Sequence, residues 1–431
     1  MLTRYGFMPE LQVSEFEQEK LEFRFNVNPK RYRVPPGPIR ERALPDDLAR
    51  HFLLDPAVTF LNHGSYGACP RPVMEDYRRW QERLEAQPVA FMSPGHLAER
   101  FAEVRRALGV AVGAAPDDLV WVTNATAGLN VVARSLDLHP GEEVLTTDHE
   151  YSALTKTWAF VAARTGAVIR PVRMPLPLTA EGFGDALREG MTDRTRVLFL
   201  SHITSPTALV FPIAGIVADA RARGIVTIID GAHAPGHIPL DLTALGADCY
   251  VGNCHKWLMA PKGTAFLHAR PEMQARLVPP AISHGWTGAG DGPGPFGGSA
   301  FLDRFQFQGT RDPAAWLAVP AAIRFRTEQG WEKVAERCRA LSREIAAELA
   351  GMTGLPALAD PEFLAPQMIA MPIPDCDTER LHGALLSRHG IEIPALRWGG
   401  RSLLRLSVQG YNRPEDGCKL LSAIRALLDL P

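Results

Sequence analysis

Segments typical of buried strands alternate with segments typical of helices from residue 97 to residue 330 of this chain. Short apolar runs rich in β-branched residues begin near positions 119, 142, 167, 196, 225 and 248, and apolar residues recur at helical spacing between most of them. Strands that alternate with helices form a mostly parallel sheet with helices on both faces. The sequence therefore predicts an α/β fold, whose ligand would lie at the carboxyl ends of the strands.

The composition argues against several classes of protein. A formal net charge of −2 provides no overall positive field for nucleic acid or for an anionic membrane. No apolar stretch approaches the ~20 residues that span a bilayer, and the N-terminus lacks the apolar core of a secretory signal. The six cysteines form no Cys-x-x-Cys pair and no zinc-like spacing. We therefore expect a cytoplasmic protein with reduced thiols, no metal site, and neither nucleic acid nor a membrane as partner.

The chain divides into three predicted parts. Residues 1–50 are rich in charge, Phe and Tyr, so we interpret them as an N-terminal arm that lies on the body or on a partner subunit; a disordered tail is the alternative. Residues 51–315 form the predicted large α/β domain. Long helical patterns with a few strands predict a smaller α+β domain over residues 316–431. A Gly/Pro-rich stretch at 287–301 predicts a loop that lines or closes the site.

Two charged residues stand just after neighbouring strand patterns. Asp230 ends the apolar run 225–229, and Lys256 follows the run 249–251 after a short Asn-Cys-His segment. A carboxylate can keep a pyridine nitrogen protonated, and a lysine amine can form a Schiff base with an aldehyde. Alone, each would be an ordinary strand-end acid or a solvated lysine. Together they predict a site for pyridoxal 5′-phosphate (PLP).

The turn at residues 123–126 joins a predicted strand to a predicted helix. Free backbone N–H groups and the helix dipole favour a phosphate there, to which the Thr126 hydroxyl could donate. Asn124 or Thr126 could equally be an ordinary N-cap. Asn253 and His255 precede Lys256 and could donate to the same phosphate, although a histidine at a strand end is more often structural.

Three other residues fit the same chemistry. His149 and Tyr151 follow a strand end, where an aromatic or imidazole plane could stack on the cofactor ring; capping or packing is the alternative. Arg405 stands inside an apolar strand pattern. Because a buried arginine is costly unless it is paired, Arg405 predicts either a structural acid or a substrate carboxylate as its partner.

Several motifs together resemble the class V branch of the fold type I PLP enzymes, and within it the isopenicillin N epimerase-like group. They include FLNHGSYGACP, TTDHEYSAL, SHITSPTALVFPI, RLSVQGYN and the highly specific block from DGAH to HKWL. The resemblance covers most of residues 55–430 but not the arm. It implies the fold type I architecture, a homodimer whose site is shared across the interface, and a small-molecule amino-acid substrate.

The resemblance also implies a role for each matching residue. Lys256 would form the Schiff base, and Asp230 would pair with the pyridinium. The other implied roles are His233 and Ser205 near the ring hydroxyl; Ala125, Thr126, Asn253 and His255 at the phosphate; His149 stacked on the ring; Thr310 at the phosphate across the dimer interface; Arg405 at the substrate carboxylate; and Asn62 lining the access to the site.

The reaction stays open at this point. Residues 391–407 contain no cysteine where desulfurases carry their nucleophile, which argues against persulfide formation. We expect Lys256 to accept the Cα proton. Reprotonation on the opposite face by His149 or Tyr151 would give an epimerase or racemase, which ranks ahead of a β-eliminating C–S lyase and an aminotransferase. A scaffold without turnover is disfavoured by the intact Lys256, Asp230 and Arg405, and the substrate side chain is not predicted.

Overall fold

The computed structural model describes residues 48–288 and 292–430, so all but the last three residues of the predicted arm lie outside it. The helices are α1 (His63–Tyr66), α2 (Arg71–Ala86), α3 (Pro88–Phe91), α4 (Pro94–Val112), α5 (Ala125–Ser135), α6 (Ser152–Thr165), α7 (Ala180–Gly190), α8 (Ile213–Ala222), α9 (Leu242–Leu245), α10 (Pro271–Gln274), α11 (Ala300–Gln306), α12 (Ala314–Leu317), α13 (Val319–Glu328), α14 (Trp331–Thr353), α15 (Thr378–His389) and α16 (Pro414–Leu427). The strands are β1 (Thr59–Phe60), β2 (Leu119–Val122), β3 (Glu143–Thr147), β4 (Val168–Val172), β5 (Thr195–Ser201), β6 (Val226–Gly231), β7 (Cys249–Asn253), β8 (Ala265–Ala269), β9 (Met368–Ile373), β10 (Ile391–Glu392), β11 (Ala395–Trp398) and β12 (Arg401–Ser407).

A seven-stranded sheet in the order β2-β8-β7-β6-β5-β3-β4 forms the centre of the fold. Strands β7, β6, β5, β3 and β4 run parallel to their neighbours, whereas β8 is antiparallel to both β7 and β2. Residues 254–264 connect β7 to β8 without a helix, and such a short connection can return the chain only as an antiparallel neighbour. The predicted α/β fold with a mostly parallel sheet is confirmed.

Helix α5 shows how local sequence sets the ends of these elements. Asn124 is its N-cap, and its side-chain oxygen accepts from the Ala127 N–H. One face of the helix packs Leu129 and Val132 into the apolar core over the sheet. The first turn of α5 follows the carboxyl end of β2, at the edge of the sheet where Asp230 also ends its strand. A helix N-terminus at this edge could accept an anionic ligand.

The C-terminal part contains a three-stranded antiparallel sheet in the order β11-β12-β9. Helix α14 packs on β9, and α16 packs on α14. No helix within 48–288 and 292–430 is long and apolar enough to cross a membrane. The predicted boundary between residues 315 and 316 stays a prediction, since α13 packs on α2 and α4 and β1 pairs with β10.

Candidate cofactor and substrate site

The register of three parallel strands brings the predicted acid and lysine to one edge of the sheet. Ser201 of β5 lies beside Asp230 of β6, and Asp230 lies beside Val251 of β7. Strand β7 ends at Asn253, and Lys256 follows in the next turn. Asp230 is buried at 4% exposure, while Lys256 is partly exposed. The expected proximity of the two residues therefore follows from strand pairing.

The turn that carries Lys256 is tightly held. The Lys256 carbonyl accepts from the Met259 N–H at 3.1 Å, and the Cys254 carbonyl accepts from the Ala260 N–H at 3.0 Å. Met259 is fully buried with a φ of +62°, a conformation that a non-glycine residue adopts only when its surroundings impose it. Such backbone strain is concentrated at functional sites, and here it lies three residues after Lys256.

Helix α1 supports this turn from the other side. His63 Nε2 lies 3.0 Å from the Lys256 carbonyl oxygen, and its Nδ1 lies 3.0 Å from the Tyr411 hydroxyl. Gly67, at φ +70°, ends the helix so close to the turn that a Cβ would lie 2.1 Å from the His255 carbonyl oxygen. Only glycine allows this approach, so the segment 62–67 and the Lys256 turn are built as one unit.

The Lys256 amine contacts a histidine rather than an acid. Its Nζ lies 3.0 Å from Nε2 of His233, in the segment after β6. Burial first, and then the positive charge of Arg405, lower the pKa of Lys256, while Asp230 acts in the opposite direction. A lysine with a lowered pKa is a better nucleophile and a better base near neutral pH.

The carboxyl group of Asp230 is buried close to a second carboxyl group, that of Glu150. Its Oδ1 accepts from the Ala232 N–H at 2.9 Å, and within the described residues its Oδ2 has no hydrogen-bond partner. Burial raises the pKa of Asp230, and Lys256 lowers it. Glu150 accepts from Thr147 at 2.7 Å and from Ser201 at 2.6 Å, and burial raises its pKa to about 8. A proton held on Glu150 at neutral pH limits the negative charge beside Asp230.

The α5 terminus presents donors on Thr126. Neither its N–H nor its hydroxyl has a hydrogen-bond partner in the part of the chain that the structure describes. The Ala125 N–H instead donates to Asn253 Oδ1 at 2.9 Å, which ties α5 to the end of β7. His255 donates through Nδ1 to the Thr264 carbonyl at 3.1 Å, and burial lowers its pKa to about 4. The neutral ring therefore offers a lone pair at Nε2, and His255 would donate to a phosphate only after gaining a proton.

Arg405 lies on β12 with its guanidinium turned to the large sheet. Nη1 donates to the Ser205 carbonyl at 2.7 Å and to its hydroxyl at 3.2 Å, and Nη2 donates to Ser65 Oγ at 3.0 Å. The side chain is buried, and its Nε has no hydrogen-bond partner. No carboxylate pairs with Arg405 among the described residues. The structure thus places Ser205 beside the arginine.

Asn62 belongs to the same cluster as Arg405. Its Oδ1 accepts from Ser65 at 2.6 Å, and its Nδ2 donates to Glu392 at 2.8 Å. Asn62 also forms a parallel bridge with Ser407, two residues after Arg405. The Asn62 amide therefore holds the Ser65 hydroxyl next to the Arg405 guanidinium. Asn62 thus supports the position of the arginine side chain.

His149 and Tyr151 have different surroundings. His149 is fully buried, with Nδ1 2.7 Å from Thr207 Oγ1 and its ring 4.2 Å from that of Trp398. Tyr151 is half-buried, and its pKa is raised by burial and by Tyr66 and Asp230, whereas Arg405 lowers it. The His149 ring is thus held in place by Thr207 and Trp398, whereas Tyr151 is a protonated phenol whose pKa responds to the charged groups of the site.

Thr310 is exposed in the segment between α11 and α12, so its expected role across a subunit interface stays a prediction. The sequence reasoning missed the supporting roles of Ser65 and Glu150. Only the position of these residues inside the recognised motifs could have drawn attention to them.

Three observations fit PLP as the ligand. A buried carboxylate offers a free oxygen at Asp230, a lysine with a lowered pKa offers its amine, and Thr126 offers two unpaired donors at a helix terminus. These are the groups that a pyridinium, an aldehyde and a phosphate require. Lys256, Asp230 and Thr126 would hold PLP, while stacking of the ring on His149 stays a prediction.

Comparison with known proteins gives a consistent result. The family described as "Aminotransferase class-V" matches residues 65–416. The isopenicillin N epimerase of Amycolatopsis lactamdurans is 39% identical over 384 residues, which cover 87% of this chain and 96% of the relative. A probable chloroplastic L-cysteine desulfhydrase of Arabidopsis thaliana is 28% identical, with 91% of this chain and 87% of the relative covered. A solved cysteine desulfurase from Escherichia coli superimposes with a TM-score of 0.71 at 23% identity, covering 88% of this chain and 98% of that one.

Proposed function

Because the chain belongs to the class-V aminotransferase family, we propose that it is an amino-acid epimerase or racemase that inverts a Cα centre. It is a PLP-dependent enzyme. The observation that carries the proposal is Arg405, a buried guanidinium without an acid partner among the described residues, in the same cluster as Lys256 and Tyr151. An anion that completes this site is a substrate carboxylate.

Each residue of the site then has a separate role in the proposed reaction. When bound, PLP supplies an aldehyde for the substrate amine and a ring that withdraws electrons from Cα. Arg405 holds the carboxylate, with Ser65 and Ser205 fixing the guanidinium. Lys256 accepts the Cα proton, and its lowered pKa keeps a fraction of the amine neutral at neutral pH.

Inversion needs a second proton donor, and we assign it to Tyr151. His149 is packed against Trp398 and hydrogen-bonded to Thr207, so its ring serves as a surface. The pKa of Tyr151 is raised by burial, which keeps the phenol protonated. The isopenicillin N epimerase relatives support inversion as the outcome and make isopenicillin N the first substrate to test.

A C–S lyase is the second candidate, since the relatives also include proteins named L-cysteine desulfhydrase. Persulfide chemistry of the desulfurase kind has less support. Burial raises the pKa of Cys376, the last cysteine before the arginine strand in the sequence, and thereby lowers its reactivity. We further propose that the protein is a cytoplasmic homodimer in which Thr310 reaches the partner's phosphate site.

The decisive experiment is incubation of the PLP-loaded protein in D₂O with isopenicillin N, a panel of L-amino acids and cysteine conjugates. We expect deuterium at Cα of the recovered substrate together with loss of its single configuration. Pyruvate and ammonia without inversion would replace the proposal with the lyase. Retention of both hydrogen and configuration for every compound, with no release of pyruvate or ammonia, would contradict both candidates.

A further inference from the structure

The indole of Trp257, the residue after Lys256, makes a contact that the proposed reaction does not yet use. Trp257 is fully buried, and its Nε1 lies 3.4 Å from His233 Nδ1. The ring of His237 stacks on the indole at 3.9 Å, and Arg326 donates to the Trp257 carbonyl at 2.8 Å. The indole N–H is thus fixed in direction by packing on both its ring and its backbone.

This contact determines the tautomer of His233. Burial, and then Lys256, lower the pKa of His233 well below its ordinary value, so the ring is neutral, with one N–H and one lone pair. An indole nitrogen can only donate. Although 3.4 Å is long for a hydrogen bond, two N–H groups facing each other would repel. The lone pair therefore lies on Nδ1, and the proton lies on Nε2.

The proton on Nε2 faces the lysine. His233 Nε2 lies 3.0 Å from Lys256 Nζ. When His233 donates along this contact, the amine must accept through its own lone pair, which only the neutral amine possesses. A protonated amine would instead place hydrogen against hydrogen. The tautomer of His233 thus favours the form of Lys256 that can take up a proton.

A second histidine holds His233 in position. The Gln367 N–H donates to His237 Nε2 at 2.9 Å, so the proton of this neutral ring lies on Nδ1. His237 Nδ1 then donates to the His233 carbonyl at 3.1 Å. Burial lowers the pKa of His237 to about 3, which keeps this arrangement intact across the neutral range. His233 is therefore held both at its ring and at its backbone.

We propose that Trp257 is a positioning residue whose indole N–H fixes His233 as the Nε2–H tautomer, so that His233 donates to the free Lys256 amine and holds it as a neutral base. The proposal rests on the proposed function of Lys256 as the base. It adds a reason why tryptophan, rather than another large apolar residue, follows the lysine. Phenylalanine would fill a similar volume but could not impose the tautomer.

Other charged groups act on the same amine and must be included in any titration. Asp230 faces Lys256 from β6 and Arg405 faces it from β12, with opposite effects on its pKa. His233 faces Lys256, Arg405, His237 and His255. Trp257→Phe leaves all of these groups in the chain but changes the ring on which His237 stacks, so the effect of the indole N–H must be separated from packing by a second background.

The first test reads the tautomer directly by NMR of the full chain labelled with ¹⁵N-histidine, with and without PLP. The His233 resonances are assigned by their loss in His233→Gln. Without PLP, where the Lys256 amine is free, we expect a protonated Nε2 and a bare Nδ1 in the wild type. In Trp257→Phe we expect a mixture or the Nδ1–H form. A wild-type Nδ1–H tautomer, or an unchanged tautomer in Trp257→Phe, would overturn the proposal.

The second test measures the amine. The rate at which the cofactor-free chain takes up PLP is followed by absorbance as a function of pH, because only the neutral amine reacts. Loss of one hydrogen bond to that amine should move the midpoint up by about one pH unit, or about tenfold slower uptake on the acidic side. Trp316→Phe, at an equally buried indole outside the site, should leave the midpoint unchanged.

His233→Gln supplies the remaining control. An amide presents an acceptor oxygen and a donor nitrogen without any tautomer, so it can serve Trp257 and Lys256 together. In that background Trp257→Phe should no longer shift the midpoint. An equal shift in both backgrounds would mean that Trp257 acts only by packing and would refute the proposal. Neither measurement needs turnover, so an absence of epimerisation would refute the proposed function while leaving these outcomes readable.

Discussion

The two halves of the site are built in different ways. The proposed cofactor half, Asp230 and Lys256, comes from the ends of neighbouring parallel strands, whose register sets the spacing. The substrate half, Arg405 with Ser65 and Ser205, joins three segments that are far apart in the chain. Strand pairing restricts the first half strongly, whereas the second depends on loops and on the C-terminal sheet. The chemistry can thus stay constant while the substrate side changes.

The halves also differ in charge balance. Asp230 and Lys256 carry opposite charges, so Lys256 lowers the pKa of Asp230 and Asp230 raises the pKa of Lys256. Arg405 has no acid partner among the described residues, and burial lowers its pKa to about 10. Because a buried, unpaired cation is unfavourable, we expect an anionic ligand to complete the proposed substrate half. The following substitutions test whether the two halves separate as this contrast predicts.

Lys256→Ala should have the largest effect, since it removes the nucleophile and base of the cofactor half. We expect turnover to fall by at least about 10⁴-fold, with Schiff-base absorbance lost. Exposed Lys333→Ala on α14 should change neither. Turnover within about tenfold of the wild type, in a protein with an unchanged melting temperature, would remove Lys256 from the mechanism.

Arg405→Ala should affect the substrate half while PLP still binds. Loss of charge-assisted hydrogen bonds to a carboxylate should lower kcat/KM by about 10²–10³-fold, mostly through KM. Arg405→Lys should recover part of this, because lysine keeps the charge without the planar geometry. Substrate amides should respond weakly to either change. Arg397→Ala, at an exposed arginine paired with Asp375, is the matched control.

Tyr151→Phe should separate proton removal from inversion. We expect Cα exchange with solvent to continue while inversion slows by about 10–10²-fold, since only the donor on the opposite face is lost. His149→Phe keeps an aromatic surface and should slow inversion less. The reverse order, with inversion lost in His149→Phe and kept in Tyr151→Phe, would assign the acid to the histidine. Deuterium content and chirality of the recovered substrate measure both steps.

The fold was predictable wherever the signal is local. The runs at 142–147 and 225–230 became β3 and β6 within one residue, since β-branched apolar runs fit fully buried parallel strands. The α/β class, predicted from such runs, is confirmed, as are the family and the cofactor predicted from the motifs and from Asp230 with Lys256. Strand β8 was not predicted, because its short AFLHA run directly follows the turn that carries Lys256 and resembles the last residues of a loop. Its pairing with both β2 and β7 is a tertiary property.

The site was predictable to the same extent. Asp230 and Lys256 could be placed together because parallel strands end at one edge of a sheet. Ser65 could not be placed near Arg405, because that contact spans 340 residues and depends on how α1 meets β12. Ser205 was expected near the ring hydroxyl from resemblance, and the structure places it at the guanidinium. Such long-range contacts have no periodic signature in a sequence.

His63→Gln tests the junction of the two halves, because α1 carries both His63, which contacts the Lys256 carbonyl and Tyr411, and Ser65, which contacts Arg405. Burial lowers the pKa of His63 to about 3, whereas in the unfolded chain it is about 6.5. Between these pH values the unfolded chain binds the extra proton, so the free energy of unfolding falls as the pH is lowered. Glutamine removes this contribution and should reduce the slope by up to about 1.4 kcal/mol per pH unit between pH 6 and 4.

Urea unfolding at pH 7.5 and pH 5 measures this smallest effect. At pH 7.5 the loss of one hydrogen bond should cost about 1 kcal/mol, since glutamine cannot reach both partners. At pH 5 the difference from the wild type should shrink or reverse. His284→Gln, at an exposed histidine, controls for the change of residue type. If the free energies of unfolding of His63→Gln and the wild type differed by the same amount at both pH values, His63 would join the halves by packing alone. A neutral histidine ring next to the Lys256 carbonyl would then not be needed.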